Sequence, residues 1–244
     1  MILFKKYWFL AFPLFFFACS KPMTEEEVDD YVLDKMQPDQ VYDISVSPTY
    51  SRNDEILQVV LYEQNDSVVM VSEEKTTAEY YRYRSIFFKN NEPIYCDEYF
   101  EDMADIEEPY RERKIYIHNQ EVNSGYERLA GWATGLDDVE YAKAEFELED
   151  FDFDGYYKRA INQEEEFDMK FGEFMEMPEQ TYLILENDES GWNTAFMIIN
   201  SDPFLDNLYT QPDLYEGKSI SVYPLFREID GITRMIYAGG ELKD

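Results

Sequence analysis

Short runs of strand-forming residues between polar turns constrain the fold of this chain more than any other feature. The first half contains seven runs rich in Tyr, Val, Ile and Phe, residue types that favour pleated, half-buried strands. Gln64-Asn65-Asp66 and Asn90-Asn91, which separate such runs, are typical of hairpin turns. We therefore predict an antiparallel meander with strands at 41–46, 56–62, 67–72, 79–88, 94–101, 113–117 and 121–126.

Two of these predicted hairpins resemble each other. Stretch 86–92 aligns with stretch 115–121, and each is a short apolar strand that runs into a turn containing Asn. The similarity indicates either a duplicated hairpin or two similar turns in one sheet, because two copies are too few to define a repeat array.

The last third of the chain carries a second strand-rich pattern. Five predicted strands lie at 168–175, 181–186, 194–199, 218–223 and 232–242, with an insertion between the third and fourth that contains a predicted short helix at 204–208. Five strands with this insertion resemble an OB-type barrel by strand order alone. The chain is therefore predicted to be mainly β, with an N-terminal antiparallel meander and a C-terminal OB-like barrel.

The predicted segments divide the chain into five parts. They are a signal peptide (1–18), a lipidated tether with a short helix (19–40), an antiparallel sheet domain (41–126), a link with an acidic strand and loop (127–166), and the OB-like barrel (167–244). The helix is predicted because Thr24 can cap it and because Glu25, Glu26 and Glu27 suit a helix N-terminus.

The N-terminal segment indicates where the protein works. Lys5 and Lys6 precede an apolar run that is too short to span a bilayer, and Ala18 and Cys19 follow it. Phe16-Phe17-Ala18-Cys19 resembles the lipobox of bacterial lipoproteins, although Phe16 and Phe17 depart from that pattern. The resemblance implies palmitate-type lipidation of Cys19 and an outer-membrane anchor in the cell envelope, with the periplasmic or surface-facing side left open.

The charge of the chain restricts its partners. It carries 21 Lys and Arg against 53 Asp and Glu, a formal charge of −32 at pH 7. Nucleic acid and anionic lipid are disfavoured, because both are bound through Lys and Arg that displace counterions. The acidic surface fits a cationic partner, a divalent metal, or simple solubility.

The small number of Cys and His residues excludes several kinds of catalytic and metal site. After Cys19 the only cysteine is Cys96, so the remaining chain cannot form an internal disulfide. The only histidine, His118, lies in a predicted turn. Zinc sites with several His or Cys ligands, and Ser-His-Asp catalysis without His118, are excluded.

One alternating stretch gathers positive charge. In Tyr81-Arg82-Tyr83-Arg84, a strand places both Tyr rings on one face and both Arg on the other. With Arg111, Arg113 and Lys114, these residues suggest an anion site. The interpretation that we favour is cross-strand ion pairing, in which Arg84 lies opposite Asp97 or Glu98.

An acidic loop provides the one candidate metal site. After a predicted strand at 145–149, Asp150, Asp152 and Asp154 alternate before Gly155, as in the first half of a calcium loop. The match is partial, because Ile161 stands where an EF-hand has its bidentate Glu. Calcium, as a structural ion, is the candidate cofactor; the alternative is a solvated acidic strand end without a cofactor.

These observations favour a non-enzymatic envelope lipoprotein that binds a protein or a glycan. One alternative is an envelope hydrolase that uses carboxylates such as Asp152 and Asp154. Another is an acidic inhibitory protein of the immunity type, whose surface attracts a basic partner.

Overall fold

The computed structural model describes residues 22–147 and 155–243. The signal segment, the proposed lipidation site Cys19 and the candidate calcium ligands Asp150, Asp152 and Asp154 lie outside the described residues.

The described elements are mostly strands. The first half contains helix α1 (Glu25–Lys35) and nine strands: β1 (Asp43–Val46), β2 (Tyr50–Arg52), β3 (Glu55–Gln64), β4 (Ser67–Thr76), β5 (Tyr80–Lys89), β6 (Glu92–Asp102), β7 (Tyr110–His118), β8 (Glu121–Ala130) and β9 (Ala142–Lys143). The second half contains helices α2 (Tyr156–Asn162) and α3 (Pro203–Thr210) and five strands: β10 (Lys170–Met177), β11 (Gln180–Glu186), β12 (Asn193–Ile198), β13 (Ile220–Ile229) and β14 (Ile232–Leu242).

All fourteen described strands belong to one open sheet. Its main order is β10-β11-β12-β2-β3-β4-β5-β6-β7-β8-β9, while β1 also pairs with β3 and β14 pairs with both β12 and β13. Neighbours are antiparallel except β12 and β14, which meet in parallel at Met197 and Ile236. The predicted β-rich class and the antiparallel meander are confirmed.

The predicted C-terminal OB-like barrel is not present as a separate closed barrel. The five predicted strands are present, but the sheet is not closed. The third of them, β12, pairs with β2 of the first half through Asn193 and Ser51, and the Ser51 hydroxyl donates to the Asn193 side chain at 2.8 Å. The OB-like part therefore continues the sheet of the first half, while β12 also pairs with β11 and β14 within the second half.

Three hairpins of the meander share one geometry. In β3–β4, β5–β6 and β7–β8, both turn residues have φ of 50–63°, as in the I′ turns that match strand twist: Asn65-Asp66, Asn90-Asn91 and Asn119-Gln120. In each, the register slips by one residue between the second and third pair from the turn. The two similar hairpins seen in the sequence are therefore accompanied by a third.

The core lies on one face of the sheet, the inner face. It carries a cross-strand row of apolar positions, Val71, Ile86, Cys96 and Ile115. Helix α2 packs there through Tyr157 and Ala160, and the buried Tyr50 hydroxyl donates to the Ala160 carbonyl at 2.7 Å. The second half thus folds over the inner face of the first.

Helix α1 covers the hairpin tips on the opposite, outer face. Val28 packs against Phe87, Tyr95 and Tyr116. The Tyr116 hydroxyl donates to Asp29 at 2.8 Å, and the Ser124 hydroxyl donates to Glu25 at 2.6 Å. The acidic residues of this helix therefore serve as acceptors for the sheet.

The link region differs from the prediction. No strand forms at residues 145–147, and residues 148 and 149 lie outside the described part. Phe146 instead packs against Gly125, where an added Cβ would lie 2.3 Å from its ring. The sequence pattern also missed α2, which begins at Tyr156 and whose N-cap residue, Gly155, provides no side-chain cap.

Candidate functional site

A row of opposite charges crosses the inner face beside the apolar row. Glu73, Arg84, Glu98, Arg113 and Glu127 lie directly opposite one another along β4 to β8. Arg84 contacts Glu73 at 2.9 Å, and Arg113 contacts Glu98 at 3.1 Å and Glu127 at 2.8 Å. The strands thus continue beyond the hydrophobic core with an alternating charge row, in which Glu73, Arg84 and Glu98 are buried.

The predicted pairing of the Arg-Tyr alternation is confirmed. The register places Arg84 opposite Glu98, one of the two predicted partners. Its hydrogen bond, however, runs to Glu73 on the other neighbouring strand. Arg82, on the same face, donates from Nη2 to the other oxygen of Glu73 at 2.6 Å, so one carboxylate holds two guanidinium groups.

This end of the charge row opens into a cleft of about 360 Å³, which we call the guanidinium cleft. Strands β2 to β5 form its floor, while the start of α2, the turn Glu165–Phe167 and the residue before β12 form its walls. The lining residues are Arg52, Glu55, Glu73, Lys75, Arg82, Arg84, Tyr156, Glu166 and Trp192. Both halves of the sheet therefore contribute to it.

The lining carries more positive than negative charge. Four cations, Arg52, Lys75, Arg82 and Arg84, and three carboxylates line the cleft. Glu55 contacts Lys75 at 2.5 Å and Arg52 at 2.9 Å. Glu166 contacts Arg159, which it shares with Glu165.

The charge row joins the cleft to its far end. Arg111 and Arg113 contact Glu127, and Glu98 lies between Arg113 and the cleft residue Arg82, at 3.1 Å and 4.0 Å. The side chains that line the cleft therefore carry one more positive than negative charge.

Arg84 has donors to spare in a buried position. Its exposed fraction is 4%, yet its one hydrogen bond within the described chain goes from Nη2 to Glu73, although a guanidinium carries five N–H donors. The Nε atoms of Arg82 and Arg84 are both buried without a hydrogen-bond partner in the described residues. An unsatisfied buried donor is costly, so the cleft is suited to an additional acceptor.

The ion pairs keep the cleft carboxylates ionised. Burial alone would raise the pKa of Glu73, but Arg84 and Arg82 outweigh it and hold that pKa below its ordinary value. Against the same effect of burial, Lys75 and Arg52 lower the pKa of Glu55, and Arg159 lowers the pKa of Glu166. The pKa of Arg84 is raised, because Glu73 outweighs the effect of burial.

Two aromatic residues complete the walls. The Arg52 guanidinium lies 4.4 Å from the ring centre of Trp192, a distance typical of cation–π contacts. The Tyr156 ring stands edge-on to Phe167 at 5.3 Å, and burial raises the pKa of Tyr156 above its ordinary value. Its hydroxyl is therefore protonated at neutral pH and can donate.

Several cleft residues were not predicted. Arg52, Lys75, Tyr156, Glu166 and Trp192 lie far apart in sequence, and sequence patterning did not connect them. A usable signal was present in Arg82 and Arg84, since basic residues at alternate positions of a strand are conspicuous in so acidic a chain.

The described residues do not supply a metal centre. Within them, no group of three or more His, Cys, Asp or Glu is placed to hold a metal ion. The calcium prediction falls on Asp150, Asp152 and Asp154, outside the described part. Across residues 22–147 and 155–243, no helix is both long and apolar enough to cross a membrane.

Comparison with known proteins adds no relative. The chain matches no protein-family model, no curated protein and no solved structure.

Proposed function

We propose that this protein is a non-catalytic binding module of the cell envelope, which holds an anionic group of a protein or glycan ligand in the guanidinium cleft. One observation carries the proposal: four cationic side chains, one of them the buried Arg84, line a single cleft in a chain whose formal charge is −32. Arg is suited to such recognition, because its planar fork matches carboxylate and phosphate oxygens.

The cleft chemistry supports binding rather than catalysis. A carboxylic acid that donates a proton near neutral pH needs a raised pKa, whereas the pKa values of Glu55, Glu73 and Glu166 are lowered. These carboxylates instead position the cations around them. The hydrolase alternative rests on Asp152 and Asp154, which lie outside the described residues.

The overall charge and the local charge act over different distances. At physiological ionic strength, charges are screened beyond about 8 Å, so the cleft attracts an anion despite the acidic surface. A polyanion such as nucleic acid covers much more surface and would meet that acidic exterior. The proposal therefore concerns a single anionic group.

The binding proposal is tested by calorimetric titration of the purified protein with phosphate, sulfate, acetate and citrate. We expect Arg52→Gln and Lys75→Gln to weaken binding of at least one anion. Lys218→Gln removes the same charge from an exposed position outside the cleft and is the matched control. Binding that all three variants weaken equally, or no binding of any anion, contradicts the proposal.

The location proposal is tested separately. If the envelope lipoprotein interpretation is right, cells grown with labelled palmitate incorporate the label into the protein, and Cys19→Ser abolishes it. Label that persists in Cys19→Ser would place the lipid elsewhere, and an unlabelled wild type would reject lipidation.

A second candidate function rests on the outer face. Beyond α1, Tyr81, Tyr83 and Tyr99 lie beside Glu74 and Glu101 in adjacent cross-strand positions. Within the described residues these two carboxylates make no salt bridge. Aromatic rings and carboxylates without a salt bridge together suit the Lys and Arg side chains of a basic protein.

A charge-matched comparison tests this second candidate. Titration with a lysine-rich peptide should be weaker for Glu74→Gln with Glu101→Gln than for Glu26→Gln with Asp30→Asn, which removes two exposed charges from α1. Equal weakening would show only the general attraction of an acidic protein for a polycation.

A further inference from the structure

We infer that the guanidinium cleft binds the carboxylate of a sugar acid, and that this carboxylate lies between Lys75 and Arg82. The inference rests on the proposed function and narrows it in two ways, to a uronic acid of a glycan and to one position in the cleft. It follows from the order of the ion pairs, from the way in which the paired carboxylates are held, and from the polar lining of the cleft.

The ion pairs in and beside the cleft follow one arrangement, in which two cations share one carboxylate. Four carboxylates are held in this way: Glu55 by Arg52 and Lys75, Glu73 by Arg82 and Arg84, Glu98 by Arg82 and Arg113, and Glu127 by Arg111 and Arg113. The shared acid separates two like charges that would otherwise repel each other. The cations are thus joined into a chain through the acids between them.

One link of this chain is missing inside the cleft. Lys75 on β4 and Arg82 on β5 are directly opposite each other, where Cβ atoms are about 5 Å apart and like charges destabilise a sheet. Lys75 contacts Glu55. Arg82 contacts Glu73 and Glu98. Within the described residues these two cations therefore share no carboxylate, and an acid supplied by a ligand would complete the chain.

The side chains at this position have donors for a further acceptor. A guanidinium carries five N–H donors and an ammonium three. Arg82 donates to Glu73 from Nη2, while its Nε is buried without a hydrogen-bond partner in the described residues. Arg84, two positions along the same strand, likewise donates from Nη2 to Glu73 and has a buried, unpartnered Nε. Buried donors that the chain leaves unused favour a bound acceptor.

The carboxylates already held in the cleft indicate the shape of group that fits between two cations. In two of them each oxygen contacts a different cation: Oε1 and Oε2 of Glu55 contact Lys75 and Arg52, and those of Glu73 contact Arg82 and Arg84. A planar group with two oxygens therefore gives one oxygen to each cation. A phosphate or sulfate ester has three terminal oxygens, so one of them would remain without a cation.

The rest of the cleft favours a sugar over a peptide as the group that bears the carboxylate. Strands β2 to β5 in the floor are paired on both sides, so they offer no free edge to which a peptide strand could add. Apart from Tyr156 and Trp192, every lining residue is charged, and Trp192 is only 2% exposed. Carboxylates that accept and a Tyr hydroxyl that donates suit the hydroxyl groups of a sugar.

The size of the cleft suits one sugar unit. Its volume of about 360 Å³ lies at the lower end of the range of roughly 300 to 1,000 Å³ for small-ligand sites. A single uronic acid, rather than a long stretch of an acidic polymer, is therefore the expected occupant. Glucuronate is accordingly the probe of choice.

The chemical class is tested by calorimetric titration with four probes that share one ring: glucuronate, glucose 6-sulfate, glucose 6-phosphate and glucose. At about pH 7 the carboxyl group of glucuronate is ionised. We expect glucuronate to bind most tightly and glucose to bind at least about tenfold more weakly, because glucose lacks the charged acceptor. An N-acetylated alanine tripeptide with a free C-terminus is the peptide probe and should also bind more weakly than glucuronate.

The position is tested with variants that each remove one positive charge. Lys75→Gln should weaken glucuronate binding about tenfold. Arg52→Gln should weaken it less, because Arg52 lies on the other side of Glu55. Lys218→Gln, outside the cleft, should leave it unchanged. Thermal unfolding without ligand verifies that each variant is folded.

The outcomes separate this inference from the proposed function. Tighter binding of glucose 6-sulfate or glucose 6-phosphate than of glucuronate overturns the carboxylate assignment, while anion binding itself stands. Tighter binding of the tripeptide overturns the sugar and assigns the carboxylate to a protein. Equal weakening by Arg52→Gln and Lys75→Gln overturns the position between Lys75 and Arg82. No binding of any charged probe overturns both the inference and the proposed function.

Discussion

Arg84 and Glu73 depend on each other more than any other pair in the described sheet. Both are nearly inaccessible, with exposed fractions of 4% each. A buried ion pair contributes little net stability compared with apolar residues, but removal of one partner leaves the other charge uncompensated. The pair therefore affects the free energy of unfolding most when only one of its two residues is replaced.

We predict that Arg84→Met lowers the free energy of unfolding by about 3–5 kcal/mol, because Glu73 remains buried beside Arg82 alone. Adding Glu73→Gln should recover part of that loss. Urea unfolding followed by circular dichroism measures both, with exposed Arg227→Met as the control. A single-variant loss no larger than that of the control would mean that Glu73 is solvated.

The turn residues carry the backbone geometry of the hairpins. Asn91 has φ of 63°, a left-handed conformation that Gly adopts freely and that costs other L-residues about 1–2 kcal/mol. We predict that Asn91→Gly leaves stability unchanged or raises it, and that Asn91→Val lowers it by about 1–2 kcal/mol. Equal thermal midpoints for the two variants would contradict the turn assignment.

Helix α1 is held to the sheet by polar contacts at its acidic N-terminal end. Thr24 accepts from the Glu27 backbone N–H, while Glu27 accepts from the Thr24 backbone N–H at 2.8 Å, which completes a capping box. Glu25 and Asp29 then accept hydrogen bonds from Ser124 and Tyr116. We expect the stability of this peripheral helix to be separable from that of the sheet, because its capping box is formed within the helix itself.

We predict that Thr24→Ala accelerates amide hydrogen exchange within α1, because loss of the cap destabilises the helix by about 1 kcal/mol. Amides of β5 and β6 should keep their protection, since those strands are hydrogen-bonded to each other. Exchange that accelerates equally in α1 and in these strands would show that the helix and the sheet unfold together.

The elements were more predictable than their assembly. The hairpins could be predicted from Asn-containing turns and from the alternation of apolar and polar residues, because both signals are local in sequence. Strand β2 was missed because it has only three residues and pairs with β12 across more than half of the chain. That distant pairing joins the two halves into one open sheet, which strand order alone did not reveal.

The candidate site was less predictable for the same reason. Arg82 and Arg84 were recognised from a local alternation, and one turn narrowed the partner opposite Arg84 to Asp97 or Glu98, of which Glu98 is the one observed. Arg52 and Trp192 meet only because β2 and β12 pair. Tyr156 reaches the cleft because it begins the seven-residue helix α2. That helix was not predicted, because the sequence interpretation of this region concentrated on the acidic residues that precede it. Residues that are brought together only by pairing between distant strands leave no periodic pattern in the sequence.

The whole molecule responds to acid through its paired carboxylates. Glu55, Glu73 and Glu166 have lowered pKa values. Their stabilising contribution is therefore complete above their ordinary pKa of 4.5 and is lost as the pH falls through the lowered values.

We predict that the free energy of unfolding falls steadily below about pH 4.5. The measurement should be made in about 1 M KCl, where the screening length is about 3 Å and relief of the long-range repulsion no longer opposes the effect. A stability that stays level down to pH 3 would mean that the three ion pairs form equally in the unfolded chain.

The shared geometry of the three hairpins has a consequence for how such a sheet can change in size. Because each hairpin has the same turn and the same one-residue slip, another copy between β8 and the two-residue edge strand β9 would lengthen the sheet without shifting its other strands. The cleft, built on β2 to β5, would be untouched. The molecule thus separates a part that can grow by whole units from a part that must stay constant.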